Sequence, residues 1–563
     1  MLLPNLYRGG TSVPVYATSI SLPSTQTVYV GSTTQLTPTV EPSNMNQAIT
    51  WSSSNTVVAT VSNGVVTGLK AGTTTITAST VNEAGDTLTA ECSITVSTIS
   101  VTGVSLSSTT LELGVGNSKV VTATVSPSNA SNKNVTWSTS KSSVATVSEG
   151  TITAVSIGTA TITATTVDSG YKATCTVTVT EKSLPRRTVM IYMCGSDLES
   201  NYASSNQGLA TGDITEILSV AGQPDDVNII IETGGAKTWS SKYGISSSKL
   251  TRYHVSNKSL VKDTTLSSYS SMGLSSTFQS FLEWGMSSYE AQEIGVVLWN
   301  HGGGMYGVCY DEKNSDDSLL NSEVNTALRK AFSAKGRTEK LEWIGYDACL
   351  MQVQDIADFT SQYFNYMVAS EESESGYGWD YDSWVDDLYS STNTTKDVLK
   401  AIVDSFIKDN GGTSSLSNDQ TLSYLDLSKM SAYKTAWENM AAQIYNNVTS
   451  SNQSAFCKLV NSVKYYADTD YTYFCLYDAK DFINKLSANS TFNPGSTYTN
   501  AVLTAFSNLV VYSSCGKGAG NSYGLCMFFC ANSTDSTYAK SVYTSSETNF
   551  TNWLNLQKLV GYL

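Results

Sequence analysis

Histidine is almost missing from this chain. His254 and His301 are the only two among 563 residues, which excludes any multi-histidine metal centre. The ten cysteines are irregularly spaced and contain no CxxC pair, so neither a zinc ribbon nor a disulfide framework is suggested. No run of 18 apolar residues occurs, and with it no candidate membrane span. No basic run of five or more residues is present, and the net charge is −15; nucleic acids and other polyanions are poor partners for such a surface. Charged residues make up only 14% of the chain, while Ser, Thr, Gly and Tyr abound, as in many secreted or surface proteins. Met1 to Gly10 holds no apolar signal-peptide core, so either the chain is trimmed or export uses another route. No C-terminal wall-anchoring signal is seen.

What is present falls into two styles of sequence. The first third is a tandem repeat. One copy carries Ile20-Ser-Leu22, Thr50-Trp51-Ser-Ser-Ser-Asn, Val58-Ala-Thr-Val-Ser62 and Gly72-Thr-Thr-Thr-Ile-Thr-Ala78. The next carries Val104-Ser-Leu106, Thr136-Trp137-Ser-Thr-Ser-Lys, Val144-Ala-Thr-Val-Ser148 and Gly158-Thr-Ala-Thr-Ile-Thr-Ala164. Short runs alternating apolar with Thr or Ser, separated by Gly, Pro and Asn, predict half-buried antiparallel strands of a sandwich. Cys92 and Cys175 fall in the last strand of each copy and have no partner there; core or surface thiols are expected. These copies resemble bacterial Ig-like group 2 modules nearly end to end.

Beyond Glu181-Lys-Ser-Leu-Pro-Arg-Arg187 the periodicity changes. Thr188–Met193 and Val227–Ile231 read as buried strands, and Tyr523–Phe529 as another. Helices are expected at Ser276–Ser288, Asn321–Lys335, Lys396–Lys408 and Ala432–Asn446. Alternating signals of this kind indicate a parallel α/β sheet. The stretch is long for one such core, so insertions or an appended lobe are expected. The resulting divisions are a leader at 1–15, Ig-like modules at 16–98 and 99–181, a linker at 182–186, and one large domain at 187–563.

The chemistry concentrates between Ile294 and Asp380. Ile294–Asn300 is an apolar run that breaks at His301-Gly302-Gly303-Gly304. Leu341–Tyr346 is a second, ending at Asp347-Ala348-Cys349. Buried parallel strands read as continuous apolar runs, and open α/β sheets bind ligands beyond their carboxyl ends. His301 and Cys349 therefore read as a catalytic dyad at neighbouring strand ends. Their separation, 349 − 301 = 48 residues, compares with about 50 in the caspase arrangement. The glycines allow close approach of a substrate, and the N–H groups of Gly302 and Cys349 are candidates for an oxyanion hole. A helix is expected over Met351–Tyr363, placing Cys349 at its N-terminus with a lowered thiol pKa. The run Asp311-Glu-Lys-Asn-Ser-Asp-Asp317 lacks EF-hand spacing and reads as a solvated loop.

Four motifs in order, Arg187–Glu199, Asn300–Gly304, Tyr346–Met351 and Ala369-Ser-Glu-Glu372…Gly376-Tyr-Gly-Trp-Asp380, resemble the clostripain family of cysteine peptidases. The resemblance implies an α/β caspase-like fold with a largely parallel sheet and C-terminal additions. It also implies a Cys/His dyad without an essential third acid, and cleavage after Arg or Lys. By position, His301 is the general base and Cys349 the nucleophile. Asp347 binds the basic P1 side chain, Asp380 adds a second carboxylate, and no metal is assigned. No cofactor is required on this reading; calcium, on which clostripain depends, is not uniform in the family. A pocket acid attracts Arg and Lys, repels Asp, and gains nothing from Asn, which sets aside Asp- and Asn-directed relatives.

Self-processing is a further expectation. Lys313, between the dyad residues, is the first candidate for autocleavage, occupying the specificity pocket until cut; Arg186 and Arg187 are the second. The partners expected are peptides or proteins with basic residues, and a cell surface or glycan for the Ig-like modules, with an extracellular or cell-surface location. The competing class is an adhesion or binding protein whose α/β domain has lost activity.

Overall fold

The computed structural model describes residues 13–182, 184–205, 207–410, 419–467, 474–520, 522–531, 540 and 549–561. The chain divides into two compact units, one ending at Ser183 and the other beginning at Leu184.

The first unit repeats one pattern of β-sheets twice. In the first copy a four-stranded sheet runs in the order Thr25–Tyr29, Thr87–Ser97, Gly72–Val81, Thr50–Ser53, beside a three-stranded sheet of Thr33–Gln35, Val65–Gly68 and Ala59–Ser62. The second copy has the same orders. Inward residues alternate with outward Thr and Ser along the long strands, as the period of two requires. Ile76, Cys92, Ile94 and Val66 are fully buried in one core, and Ile162, Cys175 and Val177 in the other. Both cysteines are thus core thiols.

The second unit is built on a nine-stranded mixed sheet. Numbering its elements within this unit, the strands are β1 (Arg187–Cys194), β2 (Val227–Gly234), β3 (Thr251–Ser256), β4 (Ser259–Thr265), β5 (Glu293–Trp299), β6 (Gly307–Asp311), β7 (Asp317–Leu320), β8 (Leu341–Asp347), β9 (Phe364–Ala369), β10 (Thr421–Asp426), β11 (Leu476–Asp478), β12 (Val510–Cys515) and β13 (Cys526–Phe528). The large sheet has the order β4-β3-β2-β1-β5-β8-β9-β10-β12. Its five central strands are parallel, and both edges are antiparallel. From β1 the chain goes to one side, to β2, and later returns to the other side at β5. That reversal creates the crevice in which α/β sheets bind ligands.

The parallel strands are buried on both faces. Met190, Tyr192 and Cys194 of β1 belong to one core, and Val189, Ile191 and Met193 to the opposite one. The first face is covered by α3 (Ser275–Ser288), α4 (Asn321–Lys335) and α5 (Gln354–Thr360). The second is covered by α6 (Tyr381–Tyr389), α7 (Thr395–Asn410) and the earlier helix Leu209–Ser219. The helices expected at Ser276, Asn321, Lys396 and Ala432 are all found, with ends shifted by at most two residues.

Two sequence expectations are corrected. The Tyr523–Phe529 run forms only the short strand β13, paired with β11 in a separate two-stranded sheet. It packs in a C-terminal lobe where Trp437, Trp553, Phe482 and Phe529 meet edge to face or tilted. This lobe shares its core with one face of the large sheet. The linker arginines are not mobile either. Arg187 is buried, pairs with Glu293 at 2.7 Å and donates to Leu388 O. Arg186 donates to the carbonyls of Tyr389 and Ser390. Both guanidinium groups cap the C-terminus of α6, where the helix dipole favours positive charge, so neither is presented as a cleavable linker.

Candidate active site

Register puts the dyad together. Met193 of β1, Trp299 of β5 and Asp347 of β8 are directly paired across three adjacent strands. His301 lies two residues past Trp299 and Cys349 two past Asp347, so both emerge at the same level of the crevice. The Asn300 N–H still donates to Asp347 O at 3.2 Å, extending the pairing to the last residue before His301. His301 and Cys349 line one pocket of about 170 Å³ together with Asp347 and Glu374.

Gly302 is required by packing. A Cβ on it would lie 2.0 Å from Cys349 O and 2.9 Å from Cys349 N. The two backbones therefore touch, and a side chain would push the histidine loop off Cys349. Gly302 and Val308 form an isolated antiparallel bridge that ties this loop to β6. Among the described residues no backbone carbonyl accepts from the N–H of Gly302 or Cys349.

The expected helix after Cys349 starts late. Residues 350–353 are tied to neighbouring strand ends: Gln352 N–H donates to Ser370 O, Cys526 N–H donates to Gln352 O, and Leu350 takes a left-handed φ of 67°. Helix α5 begins only at Gln354. Cys349 is thus not at a helix N-terminus, and its thiol is not acidified. Burial, then the neighbouring Glu374 carboxyl, push it up to about 12, against donation from the Glu374 N–H to Sγ at 3.1 Å. A thiol raised in this way would need a base to act as a nucleophile.

His301 Nε2 is 2.8 Å from Asp197 Oδ1, on the short helix α1 (Ser196–Ser200) that follows β1. Both side chains are only partly buried. Three successive central strands thus contribute Asp197, His301 and Cys349 beyond their carboxyl ends.

Asp347 lies at the base of the pocket. Tyr381 Oη donates to its Oδ2 at 2.9 Å, and burial pushes its carboxyl up to about 7. Beside it is Glu374, whose carboxyl oxygens make no hydrogen bond of good geometry; burial and then the charge of Asp347 raise it well above the usual carboxylate range. A third acid, Asp213, accepts from Trp299 Nε1 at 2.6 Å and is raised by burial and by Asp347. Gly378 lets the covering loop pass over them: a Cβ there would lie 3.1 Å from the carboxylates of both Asp213 and Asp347. Like-charged carboxyls buried together without a cation hold protons in this way.

Asp380 does not line the pocket. It lies before α6, where its charge acts on Glu216 and its carboxyl shares a hydrogen bond with Asp382. The second pocket acid is Glu374, which the sequence reading did not single out.

Lys313 is also away from the pocket. It occupies the tip of the β6–β7 hairpin, in a 3₁₀ turn of Glu312–Asn314 capped by Asp311. Its ammonium bonds Ser247 O and lies 4.4 Å from the centre of the Tyr269 ring. The acidic run is therefore an ordered hairpin tip. Asp311 accepts from Tyr269 and Met272, Glu312 from Ser200, and Asp317 from Ser271. No cluster of three or more His, Cys, Asp or Glu suited to a metal ion occurs among the described residues. No helix among them is long and apolar enough to cross a membrane.

The family model described as "Clostripain family" matches residues 191–555. The chain belongs to the clostripain family. The model for bacterial Ig-like domains of group 2 matches twice, over 16–92 and 100–177. Clostripain of Hathewaya histolytica is 24% identical over 401 residues, covering 59% of this chain and 72% of that protein. An uncharacterised protein of Clostridium acetobutylicum is 37% identical over 171 residues, 30% of this chain, and the match spans only 17% of that protein. A solved inactive zymogen C11 protease from Parabacteroides distasonis shares 19% identity with a TM-score of 0.48, covering 66% of this chain and all of that one. A secreted C11 cysteine protease from Bacteroides thetaiotaomicron, solved with an irreversible peptide inhibitor, shares 17% identity with a TM-score of 0.46, covering 64% of this chain and 98% of that one.

Proposed function

We propose that this clostripain-family protein is a cysteine endopeptidase that cleaves peptides after Arg or Lys. The observation that carries the reading is one pocket shared by Cys349, His301 and two buried carboxyls, Asp347 and Glu374. His301 takes the thiol proton, and the thiolate attacks the scissile carbonyl carbon. The oxyanion that forms is held by the N–H groups of Gly302 and Cys349. His301 then returns the proton to the leaving amine, and water hydrolyses the thioester. The acid pair supplies the charge for a guanidinium or ammonium at P1, and a bidentate fork favours Arg over Lys.

The order of parallel strands with the dyad at β5 and β8 supports a caspase-like core. Every group the reaction uses comes from the chain itself, so no cofactor is required on this reading; calcium stays open by family resemblance, and the chelator arm of the test decides it. Internal cleavage after Lys313 remains part of the proposal, with the hairpin tip opening before it is cut. The Ig-like modules suit an extracellular or cell-surface protein, with a surface or a glycan as their contact. The test is a P1 scan with short fluorogenic peptides, with and without chelator. Turnover confined to Arg and Lys supports the proposal, and preference for Asp or Asn sinks the specificity.

A further inference from the structure

His301 has an acidic partner, and the segment that delivers it is built for the purpose. Asp197 Oδ1 lies 2.8 Å from Nε2 of the imidazole. The same oxygen accepts from Ser196 Oγ at 2.9 Å. Ser196 Oγ in turn accepts from Asn300 Nδ2 at 2.9 Å, and that nitrogen also donates to Cys194 O at 2.6 Å. Asn300 Oδ1 accepts from the Tyr310 N–H at 2.7 Å. The residue before the histidine therefore grips the residue before the aspartate.

The backbone at this point is unusual. Ser196 is buried and has a φ of +45°, a left-handed conformation that a non-glycine residue adopts at some cost and that gathers at functional sites. Its neighbours hold it there. Gly195 packs so closely on Trp239 that a Cβ would come within 2.8 Å. Glu199, fully buried, anchors α1 by accepting from Thr211 N–H, Thr211 Oγ1 and Ser240 N–H. The stretch Gly195-Ser-Asp-Leu-Glu199 is thus a brace with Asp197 at its tip.

We infer that Asp197 is the positioning residue of the catalytic histidine, assisting the Cys/His dyad without being essential to it; this rests on the peptidase reading above. A carboxylate can only accept, so it fixes the hydrogen of neutral His301 on Nε2. That leaves the Nδ1 lone pair to take the proton of Cys349. The charge then stabilises the imidazolium that forms. Burial works against the Asp197 carboxylate, but the bond and charge of His301 outweigh it and hold its pKa below the usual value, so the acceptor is ionised at neutral pH. Exposure of 47% for Asp197 and 41% for His301 limits the effect, because water screens the pair.

The experiment compares Asp197→Ala and Asp197→Asn with the wild type. It measures kcat and KM on an Arg peptide, the melting temperature, and the rate of Cys349 alkylation by iodoacetamide at pH 7. Asp197→Ala should lose on the order of 10- to 100-fold in kcat, less than the ~10⁴-fold of a buried triad aspartate. KM should stay within about twofold. Asp197→Asn, which keeps the shape and a hydrogen bond, should lose less, and both should be alkylated more slowly because less thiolate–imidazolium pair is present. Wild-type kcat in both variants would overturn the inference. So would a kcat loss that vanishes after normalising to titratable thiol, or that follows the melting temperature. Should the wild type hydrolyse no peptide, the peptidase reading falls separately. Alkylation then decides for Asp197: slower labelling in both variants supports it, and equal labelling overturns it.

Discussion

The backbone N–H of Glu374 donates to the sulfur of Cys349 at 3.1 Å, and the side chain of the same residue stands in the pocket beside Asp347. One residue thus touches both Cys349 and the acid pair of the pocket. Glu374 and Asp347 are close enough to share a proton, so the empty pocket resists full ionisation. On the proposed reading, a P1 cation expels that proton as it is paired.

The pH dependence follows in sign. Burial pushes the Asp347 carboxyl up to about 7, and a cation pairs with its ionised form. KM for an Arg peptide should therefore fall as pH rises through about 7, while a peptide with neutral P1 shows no such step. Burial raises Asp347 while its hydrogen bond with Glu374 lowers it, so Glu374→Leu, which removes that bond and keeps the pocket dry, should move the step to higher pH. Initial-rate profiles for the two substrates check this. A step that stays put or moves down in Glu374→Leu contradicts the shared-proton account.

The same groups tie stability to pH. Asp347 and Glu216 are each raised to about 7 and Asp478 to about 6, chiefly by burial. The folded protein therefore binds more protons than the unfolded chain between about pH 4 and 7. Their contribution is fully present below the unfolded pKa and is lost as pH rises through the folded one. The melting temperature of the catalytic unit should be lower at pH 8 than at pH 6, and an Arg-containing inhibitor should restore part of the difference. Calorimetry at the two pH values is the check.

Asp347→Asn should lower kcat/KM for Arg and Lys peptides far more than for neutral ones. A desolvated pair robbed of its charge loses on the order of 2–5 kcal/mol. Equal losses on both classes would mean that Asp347 supports the fold and does not read P1.

Wild-type protein incubated alone should yield a new N-terminus at Asn314, while Cys349→Ala and Lys313→Ala should not. No cut is expected at Arg186 or Arg187, whose guanidinium groups are bound to the end of α6. Denaturing electrophoresis with N-terminal sequencing reads the result, and an active wild-type chain that stays whole would end this part of the proposal.

Much of the frame was legible in the sequence because it is local. Asn321–Lys335 carries its own helical period and its own stop at Gly336, and the structure ends the helix there. The apolar runs before His301 and Cys349 are too short for core helices, and as strands they bury both faces. The failures are non-local. The helix after Cys349 starts late because Gln352 bonds Ser370 and Cys526. The thiol expected to be acidified is instead raised, because its neighbours are a buried acid and apolar packing. Asp197 reaches His301 across 104 positions, and Glu374 reaches the pocket through a loop with no periodicity. Residue type alone does not announce either. The strand-end rule did carry a signal for Asp197, since it follows β1 as His301 follows β5.

The central claim is that Cys349 and His301 act as one hydrolytic unit. The direct measurement is turnover of an Arg fluorogenic peptide by wild type, Cys349→Ala, His301→Ala and the double variant. Each single change should remove essentially all hydrolysis, and the double variant should be little worse than either. Wild-type turnover in Cys349→Ala would contradict the account outright.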